Sequence, residues 1–202
     1  MHPYEAIPLA TAGLIAGLWL IFLHGLMLWR SDAAKAWLKK LPRNTNAGVY
    51  VLAVGMLWFW LLVAPERISG SMSFLGALSM DLGDFNRLKP ILRLLVPVAY
   101  FGMIFYVKEF LFVRGLGVVA LMAAAPLLDA AFLKEPGSRV LLSAFAYVML
   151  TKGMFWVGMP YTFRDAVTWV TKSDTRWKGA VIAGLAYGVI LLLLSLTSWR
   201  GY

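Results

Sequence analysis

Long apolar blocks alternate with short polar connectors along this chain, and the lengths of the blocks decide its class. A helix that crosses a bilayer needs about 20 mostly apolar residues, because the hydrocarbon layer is about 30 Å thick and each residue rises about 1.5 Å. Six blocks meet or approach that length, at about 7–29, 47–64, 91–112, 115–133, 140–159 and 177–199. They run on without the in-and-out alternation of a barrel strand, so helices are expected. The pattern predicts an all-α, polytopic membrane helix bundle of six transmembrane helices, forming a single integral membrane domain over 1–202. The first block reads as a retained helix and not a cleaved signal. Its leader Met1–Ala6 has no basic residue, and it ends at Trp29-Arg30 instead of a small-residue cleavage site.

Two connectors carry a helical period of their own. Over about 31–41, Ala34, Trp37, Leu38 and Leu41 recur at i, i+3, i+4, i+7, with Lys35, Lys39 and Lys40 elsewhere on the wheel. Ser31 stands where a cap is needed, and Pro42 stops the run. Over about 161–172, Phe163, Ala166, Val167 and Val170 repeat the spacing against Arg164, Asp165 and Thr168. Both segments are expected as short amphipathic interfacial helices, apolar face toward the acyl chains.

Composition closes off other classes. Hydrophobic residues make up 61% and charged residues 14%, with a mean hydropathy of +0.75, against about 25% charged in soluble domains. Absence of cysteine removes disulfides, thiolate metal sites and cysteine nucleophiles, and His2 and His24 are the two imidazoles in the chain. The net charge of +9 is spread over several loops without a basic domain or base-stacking aromatics, so no nucleic-acid partner is expected. Anionic lipid accounts for the same residues.

Orientation follows from the basic loops. One side carries Arg30, Lys35, Lys39, Lys40, Arg43, Lys108, Arg114, Arg164, Lys172, Arg176 and Lys178; the other carries Arg67, Arg87, Lys89, Arg93, Lys134, Arg139 and Arg200. The richer side is expected to be cytoplasmic, with both termini outside. Compact loops and the lack of organelle signals point to a bacterial inner membrane. Trp29, Trp37, Trp169 and Trp177 fall at the inner boundary, and Tyr4, Trp58, Trp60, Trp199 and Tyr202 at the outer one.

Helices in lipid associate by close packing of small residues. Gly13 and Gly17 form one GxxxG, and Gly184 and Gly188 another; packing within the chain is the expected use, an oligomer interface the alternative. Pro97 and Pro126 interrupt the third and fourth spans, where each removes a backbone hydrogen bond. Ionisable groups inside the membrane each cost at least about 2.5 kcal/mol at its centre, which makes them the candidates for a functional site. Matching depth predicts an ion pair between Arg93 and Asp129 near the outer face. Toward the inner face, Glu109 is expected to pair with Lys152, with His24 nearby. These pairs serve structure, or else line a pathway.

The external connection 65–90 contains an apolar stretch, 72–80, too short to span. It is interfacial, re-entrant or a subunit contact. The following Asp81–Asn86 lacks EF-hand spacing, so no metal is expected. Metalloprotease, phosphate-loop, nucleophile-elbow and dinucleotide motifs are all missing. His2 and His24 lie at opposite faces, and Ser143 and Lys152 are about 13 Å apart along one helix. No enzyme activity and no cofactor are expected. The reading is a non-catalytic integral membrane protein, a structural or accessory subunit of a larger membrane complex, with other membrane subunits or a second copy as partners. The alternative is a small ion or solute transporter or channel.

Overall fold

In the computed structural model, residues 3–4, 6–65, 76 and 78–202 are described. The positions of His2, Arg67 and most of the 72–80 stretch therefore lie outside the described residues. All the regular elements among the described residues are helical. Six are long and apolar enough to cross a membrane.

Helix α1 spans Leu9–Trp29 and follows Pro8, whose fixed φ of −65° sets up the first turn. Arg30 leaves helical geometry (φ −115°, ψ 55°), so the chain turns before α2, Ser31–Lys40. Leu41–Arg43 form a tight turn, and the Asn44 side chain accepts the Ala47 N–H at 3.0 Å to cap α3, Thr45–Leu62. Helix α4 covers Lys89–Tyr106 with Pro90 in its first turn, where a missing N–H costs nothing. Helix α5, Leu111–Ala131, α6, Val140–Gly158, α7, Tyr161–Thr171, and α8, Asp174–Leu196, complete the bundle. Helices α4 and α5 continue through Pro97 and Pro126.

The third block departs from expectation. It ends at Tyr106, and Val107–Phe110 form a connection in which Phe110 adopts a left-handed conformation (φ 56°, ψ 27°). Lys108 and Glu109 are therefore loop residues and not span residues. The last block also stops early: Thr197–Trp199 turn back, with the Trp199 N–H donating to Leu194 O at 3.0 Å. That turn carries Trp199 into the core, where it is 0% exposed.

Small residues decide which helices meet. A Cβ on Gly17 would lie 2.9 Å from Gly188 O and from Leu192 N, and one on Gly188 would lie 2.8 Å from Leu20 Cβ. The two GxxxG faces thus pack against each other, bringing α1 and α8 together over their length. Gly13 faces Trp199 and Ser195, and Gly184 faces the His24 ring. Helix α5 is the hub of the remaining helices, packing on α3 and α6. Gly115 lies against Leu52 of α3, while Gly117 and Gly153 put α5 and α6 in near backbone contact. Helix α4 leans on α3 at the edge of the bundle, with Ile91, Leu94, Leu95, Val98, Phe101 and Phe105 exposed. The two groups share a core of Leu9, Ala12, Ala16, Leu20, Ala130, Ala131, Leu142, Leu191 and Trp199.

Side-chain bonds fix the two ends. At one end Trp58 Nε1 donates to the Tyr4 hydroxyl, and Trp199 Nε1 donates to Ser138 Oγ at 2.9 Å. At the other, Trp177 Nε1 donates to Ser31 Oγ at 2.6 Å, and Lys35 Nζ meets Asp174 Oδ1 at 2.5 Å. Tyr4 and Trp199 mark the first of these ends, and α2 and α7 the second.

Candidate functional site

The ionisable residues singled out along the sequence are placed as follows. No ion pair joins Arg93 to Asp129 among the described residues. Arg93 Nε donates to Val63 O at 2.7 Å, and its own carbonyl accepts Trp60 Nε1 at 3.1 Å, so Arg93 ties the start of α4 to the end of α3. Asp129 instead borders a cavity of about 200 Å³ with Tyr4, Met80, Ala125, Leu128 and Phe132. Glu109 and Lys152 are both exposed, and no ion pair joins them among the described residues. Glu109 lies in the connection at 107–110, whereas Lys152 lies in α6. His24 Nδ1 lies 2.8 Å from Leu20 O in its own helix, and its ring covers Gly184. It belongs to the α1–α8 seam and not to a charge cluster.

The groups the fold does bring together lie at the α2/α7 end. Val113, Phe163 and Val167 form a small core there, with Leu38, Phe110, Leu116 and Trp156 packed on it. Apolar residues of the two short helices thus face the bundle at Leu38, Phe163 and Val167, while Trp37 and Trp169 stay exposed. The rings of Trp156 and Phe163 meet edge to face at 5.3 Å. Arg114, one turn into α5, donates from NH1 to Val157 O of α6, and its Nε is buried without a hydrogen-bond partner.

Above this core opens a cleft of about 290 Å³ lined by Lys39, Pro42, Arg43, Phe110, Arg164, Val167 and Thr168. Three separate elements supply its cations: α2 gives Lys39, the turn after it Arg43, and α7 Arg164. The Arg164 guanidinium stands 5.9 Å from the Phe110 ring centroid, within reach of a cation–π contact. Asp165 Oδ1 sits 2.8 Å from both Nε and NH2 of Arg164. No carboxylate approaches Lys39 or Arg43 to within ion-pair distance among the described residues. Sequence reasoning put Lys39 and Arg164 on the two amphipathic segments and Arg43 in the loop after the first, without joining them; the one signal available was that all three count toward the same set of basic loops.

No protein-family model, curated protein or solved structure matches this chain.

Proposed function

We propose that the chain is a non-catalytic integral membrane protein that serves as a structural or accessory subunit of a larger membrane assembly. The observation that supports this reading is how its buried and half-buried polar groups are used. Arg93 holds Val63 O, Arg114 holds Val157 O, and the Tyr187 hydroxyl donates to Leu141 O at 2.7 Å. Each joins one helix to the backbone of another. Groups committed to bracing helices are poor steps for a proton or ion, which needs sites that exchange partners across the bilayer. The same reading places the basic α2/α7 end in the cytoplasm and both termini outside, in a bacterial inner membrane. The amphipathic segments α2 and α7 then lie at headgroup depth, their lysines and arginines toward anionic lipid.

Gentle detergent extraction followed by native mass measurement tests the role. Stoichiometric foreign subunits that stay with the chain, and whose removal lowers its membrane level, are expected. A homo-oligomer that leaks ions or solute from liposomes overturns the reading. Because the chain has no cysteine, a single Y202C variant reports the side of the C-terminus cleanly. Labelling by an impermeant maleimide from the cytoplasmic side alone would reverse the orientation.

A further inference from the structure

We propose that the cleft between α2, its following turn, α7 and the 107–110 connection is a binding site for one phosphate group, carried by an anionic lipid headgroup or free in solution. The proposal is independent of the subunit role and needs only that the chain sits in a bilayer.

Convergence is the first argument. Lys39 and Arg43 on two consecutive elements meet Arg164 from a helix far along the chain, and the three border one cavity. Like charges gathered in a concave, partly apolar space repel one another more than on an open surface. A single carboxylate, Asp165, offsets one of the three. The remaining positive charge is matched when an anion enters.

Donor chemistry is the second. Asp165 occupies the Nε and one NH2 hydrogen of Arg164, which leaves the NH1 edge of the guanidinium for a further acceptor. Arg43 offers a planar fork and Lys39 a point charge, the pair of donor types that phosphate oxygens take. The Thr168 hydroxyl spends its proton on Arg164 O at 2.8 Å, so the donors to a phosphate are the three cations.

Depth and shape are the third. The walls are apolar at Pro42, Phe110 and Val167, and Phe110 immediately precedes the first turn of α5. A site with a cationic rim and an apolar wall at the mouth of a membrane helix fits a headgroup phosphate joined to its glycerol. Basic pockets between transmembrane helices recognise anionic lipids in this way. About 290 Å³ lies at the lower limit of small-ligand sites, about 300 Å³, enough for one such group. Phe110 holds the left-handed geometry (φ 56°) that a non-glycine residue adopts at a cost, and the ring so placed forms the wall beside Arg164.

The test uses the purified full chain in a neutral detergent, titrated with phosphatidylglycerol or phosphatidylcholine and read by native mass spectrometry. Wild type is expected to retain one phosphatidylglycerol in preference to phosphatidylcholine. K39Q/R43Q is expected to weaken that binding about tenfold or more, the loss of charge-assisted hydrogen bonds. K172Q/K178Q removes the same charge from the same end outside the cleft and is expected to change binding by about twofold at most. Each variant is compared at wild-type helicity and elution volume; R43Q alone, at an exposed residue, serves where the double variant fails that standard. Excess inorganic phosphate distinguishes the sources. Failure to displace the lipid identifies a headgroup site, and displacement with direct phosphate binding identifies a free-phosphate site. Equal losses in K39Q/R43Q and K172Q/K178Q would show diffuse surface charge and overturn the proposal, as would equal retention of the two lipids.

Discussion

Replacing Gly17 by alanine tests the seam on which the α1–α8 pairing depends. A methyl there would sit 2.9 Å from Gly188 O and 2.9 Å from Leu192 N, whereas ordinary contact begins at 3.4 Å. The shortfall is about 0.5 Å, and both neighbours are backbone atoms of α8, which cannot rotate aside. The helices must separate, and a gap of about 0.5–1 Å forfeits a quarter to a half of each dispersion contact along the seam. Overpacking of this kind costs about 1–3 kcal/mol. Against it stands the gain from removing a glycine inside a helix, about 0.5–1 kcal/mol. The net expectation for G17A is a destabilisation of about 1–2 kcal/mol. G25A supplies the control within the same helix, since a Cβ at Gly25 meets nothing within 4 Å. That variant should keep the propensity gain alone and be stabilised by about 0.5–1 kcal/mol. Loss of helicity during titration with a denaturing detergent gives both values under one condition. If G17A and G25A move stability in the same direction by similar amounts, α1 and α8 do not meet through Gly17 and Gly188.

Three further outcomes are expected. R93Q removes a charged donor from Val63 O and should destabilise by about 1.5–3 kcal/mol, while D129N stays within about 0.5 kcal/mol of wild type in the same unfolding assay. Comparable losses from the two would instead indicate that they form an ion pair. W199A empties the most bulky fully buried position among the described residues and frees Ser138; about 3–5 kcal/mol is expected, with cleavage after residue 196 in limited proteolysis, and protection of that tail would refute the buried turn. The Asn86 amide and the Gly83 N–H hold the Asp81 carboxyl below the usual carboxylate range. Because the folded pKa is the lower one, the turn is held fully above the unfolded value near 3.9 and released as pH falls through the folded value. Hydrogen exchange at the Gly83 amide should therefore rise, relative to its intrinsic rate, on acidification below about pH 4, and D81N should abolish that dependence; an unchanged profile in D81N would contradict it.

Run length alone made the six helices legible, because it measures a property of the bilayer and not of any neighbour. Their ends were less so. Val107 and Phe110 are apolar and kept the third block running to 112, yet the adjacent charges Lys108 and Glu109 mark the break that ends α4 at Tyr106. Thr197, Ser198 and Trp199 extended the last block in the same way. Glycine spacing exposed the faces at Gly13, Gly17, Gly184 and Gly188 but not that these faces meet each other. The contacts of Gly115, Gly117 and Gly153 went unnoticed because no four-residue repeat frames them.

Charge pairing was the part that depth could not supply. Two residues at one depth meet when their helices are neighbours and their side chains point along the same line, and a sequence gives the first coordinate alone. Arg93 and Asp129 share a depth, but α4 leans on α3, so the guanidinium finds the carbonyl that α3 leaves unpaired at its own end, Val63 O. A helix terminus always presents such carbonyls, and an arginine one turn inside the next helix is within reach of them. The cations of the α2/α7 cleft reverse the situation. Lys39, Arg43 and Arg164 carry no depth signal because all three lie in connectors, and their convergence follows from α2 and α7 packing on one apolar core at Val113, Phe163 and Val167. Burial of those apolar side chains fixes both connectors against the bundle, and the charges on their outer faces are carried into a shared space as a result. In this chain the apolar pattern determines where the helices stand, and the arrangement of polar groups is a consequence of that packing.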